Sequence, residues 1–177
     1  TNSAFIASYI RKVNGIHVVL LGGDFQNDAQ VMVGPILRVC VSQFYVDKLF
    51  VGTDGYSPDR GFTNNDHLRV QAVRDMAEHA SQVVVVTESV KFSHQSVVPM
   101  GLDNRISAVV TDAQMPDEAE AALCAKGVHV FKAALREKDN EVIWGAGLFS
   151  PAATQNRSKW PPARSCPAEV RASACAP

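Results

Sequence analysis

Long hydrophobic runs are missing from this chain. Its strongest apolar stretches, Val18 to Leu21 and Val83 to Val86, fall far short of the roughly 20 residues a membrane-spanning helix needs. No membrane partner is therefore expected. An excess of one charge is missing too: 17 Lys and Arg stand against 18 Asp and Glu, a net charge of −1, so the bulk electrostatics do not ask for nucleic acid or an anionic surface as a direct partner. Cysteine is scarce. Cys40, Cys124, Cys166 and Cys175 show no metal-ligand spacing, and Cys40 and Cys124 fall on apolar helix faces, where a reduced core thiol is the ordinary role. Neither a metal site nor a disulfide framework is expected, and with nothing that reads as a signal peptide the cytosol is the expected compartment. What the chain does have is apolar content: 46% of 177 residues suffices for one substantial core.

The apolar residues alternate between two periodicities, and that alternation sets the fold class. Phe5, Ile6, Tyr9 and Ile10 recur at helical spacing after the capping residues Asn2 and Ser3, with Gly15 placed to end the helix. Ile16 to Leu21 reads as a strand. Ile36, Leu37, Cys40, Val41 and Phe44 mark a helix face that starts at Gly34-Pro35, and Leu49 to Val51 reads as a short buried strand. Leu68, Ala72, Val73, Met76, Ala77 and Ala80 form a third helical stripe, followed by the four valines 83 to 86, a run typical of a strand covered on both faces. Ile106 to Val110 is the next strand, Pro116 to Lys126 a helix with Asp117 and Glu118 in its first turn and Gly127 at its end, and Val128 to Phe131 the last clear strand. The expected fold is α/β, a doubly wound, mainly parallel sheet with helices on both faces.

This pattern stops near Ala133. From Ser150 onward Arg157, Lys159, Arg164 and Arg171 oppose Glu169 alone, and five of the nine prolines lie there, so residues 133 to 177 read as a poorly ordered, atypical tail. Val142 to Phe149 could add a short strand. The chain also opens at a helix cap with no strand before it, whereas βα units begin with the strand, so an upstream first strand is expected.

Candidate chemistry concentrates in loops at strand ends. Gly22-Gly23 follows a strand, and its N–H groups can approach an anion without Cβ obstruction or simply make a tight turn. Thr1, Asn2 and Ser3 can offer donors to a phosphate or serve as a helix cap. Asp54, between Gly52-Thr53 and Gly55 after an apolar strand, can accept from sugar hydroxyls or act as a base, its bland alternative being an aspartate bonded to its own turn. Lys91, with Glu88 and Ser89 beside it, is placed as a point charge for a phosphate or carboxylate, against the alternative of a solvated loop lysine. Gly61 to Asp66 supplies capping side chains to the third helix, mostly structural. His17, His67, His79, His94 and His129 show no ligand spacing, and no catalytic triad order or phosphate-loop lysine motif emerges. No catalytic residues, metal or cofactor are assigned.

Taken in order, Thr1-Asn2-Ser3, Val19 to Gly23, Val33-Gly34-Pro35, Asp47 to Gly55, Gly61-Phe62-Thr63, Glu88 to Phe92 and Val110-Thr111-Asp112 resemble the effector domain of DeoR-type bacterial transcriptional repressors over about residues 1 to 132. The resemblance implies a Rossmann-like fold shared with ribose-5-phosphate and glucosamine-6-phosphate isomerases, a phosphorylated sugar or sugar-alcohol metabolite as effector, and a homo-oligomer. It implies ligand contacts from Asn2, Ser3, Gly22, Gly23, Asp54 and Lys91. Glu88-Ser89-Val90-Lys91 departs from the family's usual Asp-Ser-Ser-Lys, and the stretch after Phe131 does not resemble the family's ending; its composition would suit an altered reading frame or a fused sequence. A winged helix-turn-helix is expected before Thr1, so operator DNA would be contacted only through that domain. The competing readings are a sugar-phosphate isomerase with Asp54 as base, which lacks a second well-placed acid or histidine near Asp54, and a truncated paralogue that binds nothing.

Overall fold

The computed structural model describes residues 1–135 and 142–143. In chain order the elements are α1 (Ala4–Ile10), β1 (Asp24–Gln26), β2 (Val31–Val33), α2 (Pro35–Val41), β3 (Val46–Val51), β4 (Gly55–Ser57), β5 (Gly61–Asn64), α3 (His67–Glu78), β6 (Ala80–Val86), a 3-10 turn (Ser89–Ser93), β7 (Val98–Pro99), β8 (Ile106–Asp112), α4 (Asp117–Ala125), β9 (His129–Leu135) and β10 (Val142–Ile143). Strands β3, β6, β8 and β9 lie side by side in that order and run parallel, with β10 antiparallel on β9. This is a Rossmann-like α/β sheet. Two antiparallel units flank it, the β1–β2 hairpin and the β4–β5–β7 sheet.

The valine run does what its composition predicts: β6 is paired on both edges and Val83, Val84 and Val85 are buried. On one face of the sheet Val51, Val83, Val85 and Val109 share a core cluster with Val70 and Ala77 of α3, Ala119 and Leu123 of α4, and Tyr56, Phe62 and Met100 of the antiparallel unit. Burial of each such Val, Leu, Phe or Met side chain contributes about 1.5–3 kcal/mol. A second cluster, Leu21, Val33, Leu37 and Val41 with Ala72, packs α2 and the β1–β2 hairpin on the other side of α3. Helix α3 thus joins both clusters, and it is well terminated. The Asp66 carboxylate caps it by accepting from the Arg69 N–H at 2.9 Å, and Arg74 ties its side to the carbonyls of Pro99 and Met100 at 2.9 and 2.8 Å.

Several expectations change. Residues 16–21 form no strand; they lie beside Thr1 through two bonds among the described residues, Thr1 N to Val19 O and Leu21 N to Thr1 O, both 2.9 Å. A strand needs a partner ladder, and the single residue Thr1 is too short to supply one. The β3 strand reads as buried but forms the sheet's edge, leaving Val46 and Phe50 exposed. Helix α1 ends at Ile10 rather than at Gly15 and buries none of its residues. In α2 the apolar stripe splits: Leu37 and Val41 enter the core while Ile36 and Phe44 stay exposed. The connection from β6 to β8 holds a 3-10 turn and a short strand, not a helix. The expected tail beyond Ala133 lies almost wholly outside the described residues; the end of β9, to Leu135, and the Val142–Ile143 strand are the parts described.

Candidate functional site

Two loops leave the same end of the sheet. Val51 of β3 is in register with Val85 of β6, so the segment after β3 that carries Asp54 and the segment after β6 that carries Lys91 emerge side by side, at the strand C-termini where open α/β sheets place ligands. They are laced together. The Tyr56 N–H donates to the His94 carbonyl at 2.8 Å, the Ser96 N–H to the Thr63 hydroxyl at 2.9 Å, and the Ser96 hydroxyl to the Asn65 side-chain oxygen at 2.5 Å. Phe92 closes an aromatic cluster with Tyr56 and Phe62, its ring centre 5.3 and 6.3 Å from theirs.

The first loop is rigid for local reasons. The buried Thr53 hydroxyl sits 2.8 Å from the carbonyl oxygens of Gly55 and Thr63, and the Asp54 N–H donates to Thr63 O at 3.0 Å. Gly55 allows a close approach that no other residue would: a Cβ there would lie 2.5 Å from the His94 carbonyl oxygen. Asp54 is half-buried, and its Oδ2 accepts from the Asn65 N–H at 3.0 Å. Its Oδ1 has no partner among the described residues.

The second loop is held from β8. As β6 peels off the sheet, the Thr87 N–H still bonds Val110 O at 3.0 Å, and the next free donor, the Ser89 N–H, is taken at 2.7 Å by the Asp112 carboxylate. The other Asp112 oxygen accepts from the Gln114 N–H at 2.9 Å. Burial pushes the Asp112 carboxyl up, but the donors from Ser89 and Gln114 outweigh it and leave the group below the usual carboxylate range. The turn then closes on itself with the Lys91 N–H on Glu88 O at 3.0 Å. The Lys91 ammonium, on a half-buried side chain, pairs with nothing among the described residues, and neither does the exposed Glu88 carboxylate.

The other expected ligand residues gather elsewhere. The Asn2 side chain donates to Met32 O at 2.9 Å, the Ser3 hydroxyl caps α1 by accepting from the Ile6 N–H at 3.2 Å, and the Thr1 hydroxyl accepts from the Ser3 N–H at 3.1 Å. Gly23, at φ +147°, would place a Cβ 2.5 Å from Val33 O, and Gly22 packs near Cys40 and Ile36. These five residues dock the chain start on β2 and α2. No hydrogen bond among the described residues joins them to Asp54, Gly55, Glu88, Ser89 or Lys91. A cavity of about 490 Å³ on α1, lined by Phe5, Ser8, Tyr9, Arg11, Lys12 and Val13, contains none of the ten. Asp112 was legible only as part of the Val110-Thr111-Asp112 motif; its hold on Ser89 depends on β6 and β8 being neighbours, which no local pattern states. No group of residues that could hold a metal occurs among the described residues, and no described helix is long and apolar enough to cross a membrane.

Residues 1–113 match the family model described as the DeoR C terminal sensor domain. The chain belongs to the DeoR family. Among similar proteins, a repressor named for the aga operon of Escherichia coli O157:H7 is 26% identical over 130 residues, covering 73% of this chain and 48% of that protein. The glycerol-3-phosphate regulon repressor of Escherichia coli K12 is 27% identical, covering 66% and 46%, and the transcriptional repressor GlcR of Bacillus subtilis is 28% identical, covering 67% and 45%. The chain therefore spans a little under half the length of these curated relatives, and the part it shares in the DeoR family is the regulatory sensor domain rather than an enzyme.

Proposed function

We propose that this DeoR sensor domain binds a phosphorylated sugar or sugar-alcohol metabolite at the Asp54–Lys91 rim and, within a longer homo-oligomeric repressor of a catabolic operon, couples that binding to release of operator DNA through an upstream winged helix-turn-helix. The observation that carries this reading is the pairing of opposite chemistries on one rim. Lys91 offers an unpartnered cation to a phosphate, and Asp54 keeps one carboxylate oxygen open for hydroxyls. Gly55, Glu88 and Ser89 shape the loops that carry them. Thr1, Asn2, Ser3, Gly22 and Gly23 belong to the same proposal as a second wall, completed by the expected first strand, with residues 1–132 forming the sensor domain. For a ligand to act as inducer it must bind one arrangement of the repressor better than the other.

The test is thermal unfolding of the chain with a panel of sugar and polyol phosphates and their unphosphorylated parents. A ligand that binds only the folded state adds about 2.7 kcal/mol of stability at a hundred times its dissociation constant. Stabilisation by a phosphorylated compound, absent for its parent and absent in Lys91→Ala, is the expected result; equal stabilisation of wild type and Lys91→Ala would remove Lys91 from the site and this reading with it.

A further inference from the structure

Resting on the reading of Lys91 as the phosphate contact, we infer that Asp112 is the positioning residue of that site, acting through Ser89 on the turn that presents Lys91. The 3-10 turn Ser89–Ser93 has no cap of its own: Glu88 precedes it in extended conformation and its side chain makes no capping bond. The missing acceptor comes from another strand. Asp112 Oδ2 takes the Ser89 N–H at 2.7 Å while Oδ1 takes the Gln114 N–H at 2.9 Å, so both oxygens are committed to fixed donors. The carboxylate is thereby anchored at β8, a strand paired on both sides, and the start of the turn is anchored to it. Two residues later the chain reaches Lys91, whose own N–H closes on Glu88 O.

Among the described residues Asp112 is the one group outside the turn that bonds its first residue, Ser89. The turn's far end is secured by the Tyr56 bond to His94 and by Phe92 in the aromatic cluster, but Val90 is exposed and the Glu88 side chain is unattached among the described residues. Without Asp112 the segment 87–91 would be tied, among the described residues, at Thr87 and through the His94 N–H on Lys91 O at 3.3 Å, and the Lys91 ammonium would sample a wider range of positions. A site that holds its cation in place loses less freedom on binding than one that must gather it.

The experiment is a calorimetric titration of the full 177-residue chain with inorganic phosphate, and with whichever sugar phosphate stabilises it, for wild type, Asp112→Ala, Asp112→Asn and the remote control Asp117→Ala. Ser89 amide exchange is followed in parallel. The expected result is at least tenfold weaker anion binding in Asp112→Ala, a smaller loss in Asp112→Asn, which keeps one acceptor oxygen, and none in Asp117→Ala. Ser89 exchange should be faster while Val83 to Val85 stay protected. The partial rescue separates positioning from general damage, because folded, cooperative variants that differ only at this acceptor should rank by the acceptor they retain. If Asp112→Ala does not fold, Asp112→Asn carries the test, with a loss of threefold or more expected. Wild-type affinity in folded Asp112 variants would overturn the inference while leaving the phosphate site standing; wild type that ignores every phosphate would overturn the site itself.

Discussion

Gly55 is a point of close approach between the two loops of the proposed site, and Gly55→Ala forces them apart. The new Cβ would sit 2.5 Å from the His94 carbonyl oxygen and 3.0 Å from the Ser96 nitrogen, both backbone atoms that cannot swing aside as a side chain can. A carbon touching a carbonyl oxygen needs about 3.3 Å, so the two segments must part by roughly 0.8 Å. That movement stretches the 2.8 Å bond from the Tyr56 N–H to His94 O to about 3.6 Å, outside hydrogen-bond range. Overpacking of this kind costs about 1–3 kcal/mol, and the lost bond about 1 kcal/mol more. For a chain of this size each kcal/mol lowers the melting midpoint by about 2–4 °C, so scanning calorimetry should find a drop of roughly 5–15 °C. The same variant should respond more weakly to the effector, because Asp54 and Lys91 would no longer share a fixed rim. A midpoint within about 2 °C of wild type would refute the packing argument.

Further outcomes follow from the same contacts. Lys91→Ala removes a side chain without a described partner, so its melting midpoint without ligand should match wild type within the effect of about 0.5 kcal/mol usual for such positions, while phosphate-dependent stabilisation disappears. Phe62→Ala empties the centre of the aromatic cluster, where the ring is 2% exposed, and should cost about 3–5 kcal/mol in denaturant unfolding; a loss under 1 kcal/mol would show that the antiparallel unit is not packed as described. The Asp66 carboxyl is held below its ordinary value of 3.8, chiefly by the Arg69 N–H, and Asp112 is held low by its donors against the cost of burial. Groups with a depressed folded pKa add stability that is present above the unfolded value and lost as pH falls through the folded one. Melting midpoints should therefore drop below about pH 4, less steeply in Asp66→Ala, and an identical acid profile in that variant would contradict the assignment.

The parallel sheet was legible because its signals are local and strong. A four-valine run is typical of a covered strand and the Leu68 to Ala80 stripe of an amphipathic helix, and β6 and α3 fall there except at their junction, where Ala80 opens β6 instead of closing the helix. The antiparallel units were not legible. Gly61 to Asn64 carries glycine, threonine and asparagine and reads as a capping loop, yet all four residues are buried as β5 between β4 and β7. Residues 16–21 failed in the opposite direction: their composition is that of a strand, but a strand exists only beside a partner. The same limit governs the site. Position at strand ends, with Glu88 and Ser89 beside Lys91, singled out Asp54 and Lys91 as candidates, whereas the engagement of Asn2 with Met32 and of Asp112 with Ser89 runs across 30 and 23 residues and becomes visible only once the neighbours in space are known.

The most direct test of the central claim is an amide-resolved NMR titration with the phosphorylated compound that stabilises the chain most. The largest shifts should fall on Thr53 to Gly55 and on Glu88 to Phe92, with saturation at one ligand per chain and no response in Lys91→Ala. Shifts confined to the α1 cavity around Phe5 and Tyr9, with both loops silent, would contradict that claim.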